Sequence, residues 1–357
     1  MTPILIQVLT QPKQIQHLSL KDWDLLIRQA RHANLLARLG YVLENNGLSC
    51  DIPIAPLRHI QSAQTYAQQF ENTLKWEIKC IAKALNNLNI PIIYLKGTAY
   101  FILGSIAAQG RVFSDIDILV NKDQLEQVEA ALRRAGWAQH EMDAYDQKYY
   151  RQWMHESPPM QHVVRGTSID VHHNILPTTN EACPDAAKLL AQAEKTPSLD
   201  GWVLSTSDRI LHSACHLFHE GELDNGLRDL SDLDLLLQEA AKKDPAFWQT
   251  ILARANDLGL QRSLYYAMHY CGLILKTPIP QGIHKQYLAF APNRFVLAAL
   301  DILFLKALIP NHHTCDGYLT KFARWFLFVR SHWLKMPIHL LLPHLIRKGL
   351  KNFTTES

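Results

Sequence analysis

The chain has 357 residues, 48% of them hydrophobic and 19% charged, which allows a sizeable core and excludes a disordered chain. Its net charge of +3 is small for this length, so composition points neither to a nucleic-acid coat nor to an acidic halo. Six scattered cysteines, at 50, 80, 183, 215, 271 and 315, form no Cys-x-x-Cys pair, which argues against zinc ribbons and disulfide frameworks and fits free thiols in a reducing cytosol.

No basic region precedes the apolar run Pro3 to Leu9, and no clean stretch of 18 apolar residues occurs, so a cytoplasmic protein without a transmembrane segment is expected. From Leu18 to about Asn45, Trp23, Leu26, Ile27, Ala30, Leu35, Leu36 and Leu39 recur mostly at three- and four-residue steps, predicting amphipathic helices with Ser19 as an N-cap. After Pro53 and Pro56 a longer helix is predicted from Leu57 to Asn87. The β-branched run Ile90 to Leu95 then reads as a buried strand ending at Lys96-Gly97-Thr98, with a helix from Ala99 to about Leu103. Glycine permits close backbone approach and helix N-terminal amides bind anions, so this turn could hold phosphate with Lys96 or Thr98 as further donors. An ordinary strand-to-helix connection with a surface lysine is the competing reading.

The segment Arg111 to Val120 carries the sharpest signal. Ile116, Ile118 and Val120 share one face of a period-2 strand, so Asp115 and Asp117 share the other, with α-carbons about 6.7 Å apart. Two hard oxygen ligands at that spacing suit divalent cations that neutralise phosphate charge during an in-line displacement, although Asp-x-Asp is also common on solvated edge strands. Arg111, just before the strand, could hold a phosphate bidentately. A helix over Lys122 to Ala135 is stopped by Gly136. Met160 to Val164 and the turn Arg165-Gly166-Thr167 then predict a hairpin that brings Ser168 to His172 into the same sheet. There Asp170 becomes a third carboxylate, with His172 on its face as a supporting histidine or an acceptor contact.

Pro177, Pro184 and Pro197 mark an irregular connection with a short helix at Ala186 to Ala193. An all-helical region follows, with helices over Ser207 to His219, Leu227 to Lys242, Pro245 to Leu258 and Leu260 to Leu275, Ser207 serving as the first cap. His212, His216 and His219 fall on one helix face, which admits zinc, a contact to nucleotide or acceptor through His212 or His216, or ordinary packing. Arg228 and Asp232 have the spacing of a neighbouring ion pair, the other reading of Arg228 being a nucleotide or acceptor contact. The run Phe295 to Ile309 reads as a buried helix. Between Lys321 and Lys351 seven Lys/Arg residues occur without an acid, interleaved with Trp325, Phe326, Phe328 and Trp333. That pattern fits either a packed helical appendage or a weak membrane-surface or nucleic-acid contact.

The Leu-Lys-Gly turn at 95–97, Arg-x-x-Ser-Asp-Ile-Asp at 111–117 and Asp-Val-His at 170–172 resemble the uncharacterised bacterial nucleotidyltransferase family of the DNA polymerase β-like superfamily. The turn is also similar to that of the abortive-infection nucleotidyltransferases. The resemblance covers roughly residues 20 to 280 and implies an α+β fold, a mixed sheet with flanking helices. It implies a nucleoside triphosphate at Gly97 and Thr98, Mg2+, or Mn2+ in its place, at Asp115 and Asp117, and Asp170 as the third catalytic carboxylate and metal ligand; Lys96, Arg111 and Ser114 are the further nucleotide-binding residues expected. The chain departs from the pattern where Thr98 replaces the second small residue, with sixteen residues separating it from Asp115; Gly104-Ser105 offers an alternative register. The expected organisation is an N-terminal helical region (1–77), a sheet domain (78–178), a connection (179–203), a helical domain (204–290) and a basic, aromatic extension (291–357). The expected activity is transfer of a nucleotide to a hydroxyl of a protein, RNA or small-molecule acceptor, the alternative being a non-catalytic, antitoxin-like regulator on the same scaffold.

Overall fold

The structure, a computed structural model, describes residues 2–139, 144–196, 201–219, 221, 223–336 and 341. Helices α1 (Ile4–Thr10), α2 (Leu20–His32) and α3 (Leu36–Asn45) open the chain. Ser19 caps α2 in a box with Asp22, and its apolar stripe of Trp23, Leu26, Ile27 and Ala30 is buried. The 32-residue helix α4 (Ile54–Leu85) starts directly after Pro53, three residues before the predicted start. Its first half packs through Ile60 into one core, and its second half through Leu74, Ile78, Ile81 and Leu85 into another.

Seven strands form one mixed sheet: β1 (Ile93–Tyr94), β2 (Asp115–Leu119), β3 (Trp137–Gln139), β4 (Met160–His162), β5 (Ser168–His172), β6 (Glu194–Lys195) and β7 (Trp202–Val203). Their order is β3-β4-β5-β2-β1-β7-β6. Helices α5 (Lys96–Ile102), α6 (Leu125–Arg134), α7 (Ala144–Trp153) and α8 (Ala186–Ala191) lie between strands, and the expected α+β class holds. The hairpin β4-β5 forms as predicted, with Gly166 at φ +71° in its turn and Met160 opposite Ile169. Two boundaries differ from expectation. The apolar run Ile90 to Leu95 pairs as strand only at Ile93 and Tyr94, between β2 on one side and β7 on the other. Helix α5 begins at Lys96, so Gly97 and Thr98 belong to its first turn.

The two sheet faces meet different surroundings. Ile116, Ile118, Val120, Ile169 and Val171 point into a core closed by α4 and α6. The opposite face meets a larger core in which the N-terminal helices join α9 (Thr206–His219), α10 (Gly226–Lys243), α11 (Phe247–Leu258) and α12 (Gln261–Tyr270). Side chains from Leu5 to Ile60 and from Leu204 to Leu327 share that core, so the N-terminal and later helices cover this one face of the sheet together. Ser205, rather than Ser207, accepts from the first turn of α9. The predicted Leu260 to Leu275 helix leaves α-geometry after Tyr270 through a wider turn ending at Lys276, φ +61°.

Helices α13 (Gln281–Leu288), α14 (Arg294–Ala307) and α15 (Tyr318–Lys335) complete the described chain. On α15, Arg330 donates to the Phe218 carbonyl and Arg324 pairs with Asp316, while Phe322, Trp325 and Trp333 are more than half exposed. Of the basic stretch predicted to end at Lys351, residues 337–340 and 342–351 lie outside the described residues, as does Pro197 in the connection. Among the described residues no helix is long and apolar enough to cross a membrane.

Candidate active site

Strands β2 and β5 run parallel in a register that sets Asp117 opposite Asp170 and Leu119 opposite His172. With the period-2 alternation, this puts Asp115, Asp117, Asp170 and His172 on one face. One oxygen from each of Asp115, Asp117 and Asp170 lies within 4.8 Å of the others. Asp117 is buried and accepts from Lys96 Nζ at 3.1 Å and from His172 Nε2 at 2.8 Å. Burial alone would raise its pKa, but Lys96 and the His172 hydrogen bond hold the carboxyl well below the usual range. Asp170 is the opposite case: burial, then the charges of Asp117 and Glu156, push its carboxyl up to about 7. Its Oδ1 is buried without a hydrogen-bond partner.

Two carboxylates facing one another inside a protein, one with an orphaned oxygen, make a favourable site for a hard cation. All three donors are carboxylate oxygens, the set that Mg2+ and Mn2+ accept. The residues therefore fit the divalent metal that the acidic strand pattern implies.

Lys96 reaches Asp117 from an unusual backbone position, φ +45° at the first residue of α5. Burial opposes its charge, but Asp117 and Asp115 outweigh this and raise its pKa. The first helical hydrogen bond of α5 runs from Ala99 N–H to Leu95 C=O, so the amides of Lys96, Gly97 and Thr98 are those an N-terminal turn leaves unbonded. Gly97 also answers a packing need: a Cβ there would collide with the Phe113 ring and lie 2.8 Å from Arg111 Nε. Thr98 is buried. Ser114 is exposed and donates to Asp115 Oδ1 at 2.8 Å. Gly104 and Ser105 lie beyond α5, where Ser105 bonds Glu239.

Arg111 is turned away from the carboxylates. It pairs with Asp232 of α10, lies 3.6 Å from Asp229 and sits over the rings of Tyr100 and Phe113. Arg38 of α3 joins the same group, 2.6 Å from Asp232. The predicted Arg228–Asp232 pair is replaced: Arg228 binds its neighbour Asp229 at 2.8 Å, because Asp232 is taken by the two buried guanidiniums.

Helix α9 brings His212 and His216 toward the aspartate face. Burial, reinforced by the nearby charge of Lys96, holds both imidazoles well below their ordinary pKa, so they are neutral at pH 7. His219 leaves this group and bonds Asn180 at 3.0 Å and Ser263 at 3.2 Å. Among the described residues the three α9 histidines form no common metal-binding cluster. Sequence reasoning missed His155 and Glu156, which approach His172 from the chain before β4. It also missed Arg38, whose only signal was a cation within the apolar repeat of α3. A groove of about 1230 Å³ between the end of α4 and β6-β7, lined by Lys79, Lys83 and Trp202, contains none of the carboxylates.

A mixed sheet presenting three clustered carboxylates beside a lysine-bearing helix turn is an arrangement that could hold a divalent metal next to a phosphate. The family model of the uncharacterised nucleotidyltransferases matches residues 19–276, and the chain belongs to that family. It is thus an enzyme of nucleotidyl transfer, with a nucleoside triphosphate as the substrate its family implies. No curated protein and no solved structure is similar enough to the chain to match it.

Proposed function

We propose that the protein transfers a nucleoside monophosphate from a nucleoside triphosphate to an acceptor hydroxyl in a magnesium-dependent reaction that releases pyrophosphate. The observation that carries this reading is the meeting of Asp115, Asp117 and Asp170 within 4.8 Å, with the buried Asp170 Oδ1 lacking any donor. The three aspartates would hold the metal, which when bound supplies charge neutralisation for the triphosphate and the developing pyrophosphate.

The chain's own groups do the rest by position and charge. Lys96 and the first-turn amides of α5, with Ser114, receive the triphosphate. His172 donates to Asp117 and fixes its carboxylate plane. Asp170 Oδ1 is the atom assigned to take the acceptor hydroxyl's proton. His212 and His216, neutral and on the helix that covers this face, are the proposed acceptor or nucleotide contacts. Arg111 acts at one remove: paired with Asp232, it holds the approach to β2 and packs against Gly97.

The test is incubation of the full chain with each labelled nucleoside triphosphate and Mg2+, reading pyrophosphate release and label on any acceptor, itself included. The double variant Asp115→Asn/Asp117→Asn should keep its circular dichroism and lose at least about a thousandfold in turnover. Full turnover in that variant would overturn the reading.

A further inference from the structure

A second group of ligating side chains lies behind the aspartates. The segment 155–157 is fastened to the end of β5: Glu156 bridges His172, Ser157 N–H donates to Val171 C=O at 2.8 Å, and the N–H groups of His173 and Asn174 both donate to the His155 carbonyl. This fastening gathers His155, Glu156 and His172, whose ligand atoms all lie within 4.8 Å of one another. Glu156 Oε2 is 3.5 Å from His172 Nδ1 and 4.0 Å from His155 Nε2. A tetrahedral zinc site with bonds of about 2.0 Å has ligand-to-ligand edges of about 3.3 Å, so small side-chain rotations would close these three around one ion.

The hydrogen bonding of His172 points the same way. Its Nε2 is bonded to Asp117 at 2.8 Å, which leaves Nδ1 turned toward Glu156. That nitrogen has no hydrogen-bond partner, although the side chain is only 1% exposed. A buried nitrogen held 3.5 Å from a carboxylate needs positive charge at that contact, supplied by a proton on the ring or by a cation between the two groups. An imidazole that donates one N–H to a carboxylate and keeps the other nitrogen free is also how proteins commonly present histidine to a metal.

We propose that His155, Glu156 and His172 bind one transition-metal ion of the zinc class, distinct from the three-aspartate centre and joined to it through the His172–Asp117 hydrogen bond. Two imidazoles and one carboxylate suit zinc, whereas magnesium prefers oxygen alone. The ion fastens the 155–157 segment to β5 and keeps His172 in the tautomer that donates to Asp117. Its part is positioning: it touches no reacting atom.

The experiment titrates the metal-free full chain with Zn2+ against a chromogenic chelator, and separately with Co2+ while recording the visible spectrum. One equivalent of zinc should bind, and Co2+ should show the intense bands of a four-coordinate site. Glu156→Gln and His155→Ala should each weaken binding at least about tenfold, while Asp115→Asn leaves it within about twofold. X-ray absorption on zinc-loaded wild type should show imidazole nitrogen, a readout independent of whether the variants fold. Absence of stoichiometric zinc, an all-oxygen shell, or loss of zinc in Asp115→Asn with retention in Glu156→Gln would overturn the proposal. None of these outcomes bears on whether the aspartates support turnover with magnesium.

Discussion

Replacing Asp170 with asparagine should stabilise the metal-free protein while removing one ligand of the proposed metal site. A carboxyl whose titration point rises from 3.8 in the unfolded chain to about 7 in the folded one is destabilising when ionised. The sign follows from proton binding. Below about pH 4 both states hold the proton and there is no penalty; the penalty grows as pH rises and is complete above about 7. Three pKa units correspond to about 4 kcal/mol, an upper bound that water entry and relaxation around the coupled carboxylates reduce to about 1–2 kcal/mol. Urea unfolding in the presence of a chelator, at pH 5 and pH 8, measures it. Wild type should lose stability relative to Asp170→Asn between the two values, and Mg2+ should raise the melting temperature of wild type only. An Asp170→Asn variant less stable than wild type at pH 8, or a difference that does not change with pH, would refute the reasoning.

Lys96→Met removes the ammonium from Asp117 and leaves His172 as its remaining donor, so the chelated protein should lose about 1–3 kcal/mol. Because Lys96 and a metal ion compete for the same carboxylate, the calorimetric Mg2+ midpoint should fall in this variant while KM for nucleotide rises; unchanged midpoint and stability would count against the assigned role. Gly97→Ala should cost about 1–3 kcal/mol through collision with Phe113, and Gly97→Ala/Phe113→Leu should recover part of that loss in thermal melts. No recovery would mean that Gly97 is needed for the backbone path or phosphate approach instead of the ring contact.

The clustering of the three aspartates was legible because strand periodicity converts sequence spacing directly into shared faces. Ile116 and Ile118 had to point inward, so Asp115 and Asp117 could not, and the same logic applied to Asp170 between Ile169 and Val171. The turn before β5 was equally explicit, since Gly166 supplies the positive φ that the hairpin requires. Where local pattern gives no address, the sequence was silent. His155 and Glu156 lie before Pro158-Pro159, a stretch without periodicity, and reach His172 only through a backbone bridge across the sheet. Asp232 had a plausible local partner four residues away, yet its actual partners Arg38 and Arg111 come from α3 and from the loop before β2. Helical spacing can nominate neighbours, but it cannot weigh them against cations delivered by tertiary packing. The two-residue strands β6 and β7 carry too few residues for any alternation to show.

The buried Arg38–Asp232–Arg111 group explains why helices from both ends of the chain belong to the site's architecture. Two guanidiniums share one buried carboxylate, and burial, together with the charge of Arg228, lowers both to about pKa 10. Such a group is costly to desolvate and stabilises only when all its partners arrive together. One partner is on α3, one on α10, and the third precedes β2 by a few residues. Arg38 also donates to the Ala107 carbonyl, so the loop from Gly104 to Ser114 is held to the helical core at its middle as well as its end. That loop leads directly into Asp115, and Phe113 within it rests on Gly97 beside Lys96. The positions of β2 and of the lysine turn are therefore set by the same ionic anchor. The N-terminal and C-terminal helices are here parts of the candidate site's framework: without α10 the two buried arginines would lose Asp232, and without α3 that carboxylate would keep Arg111 alone.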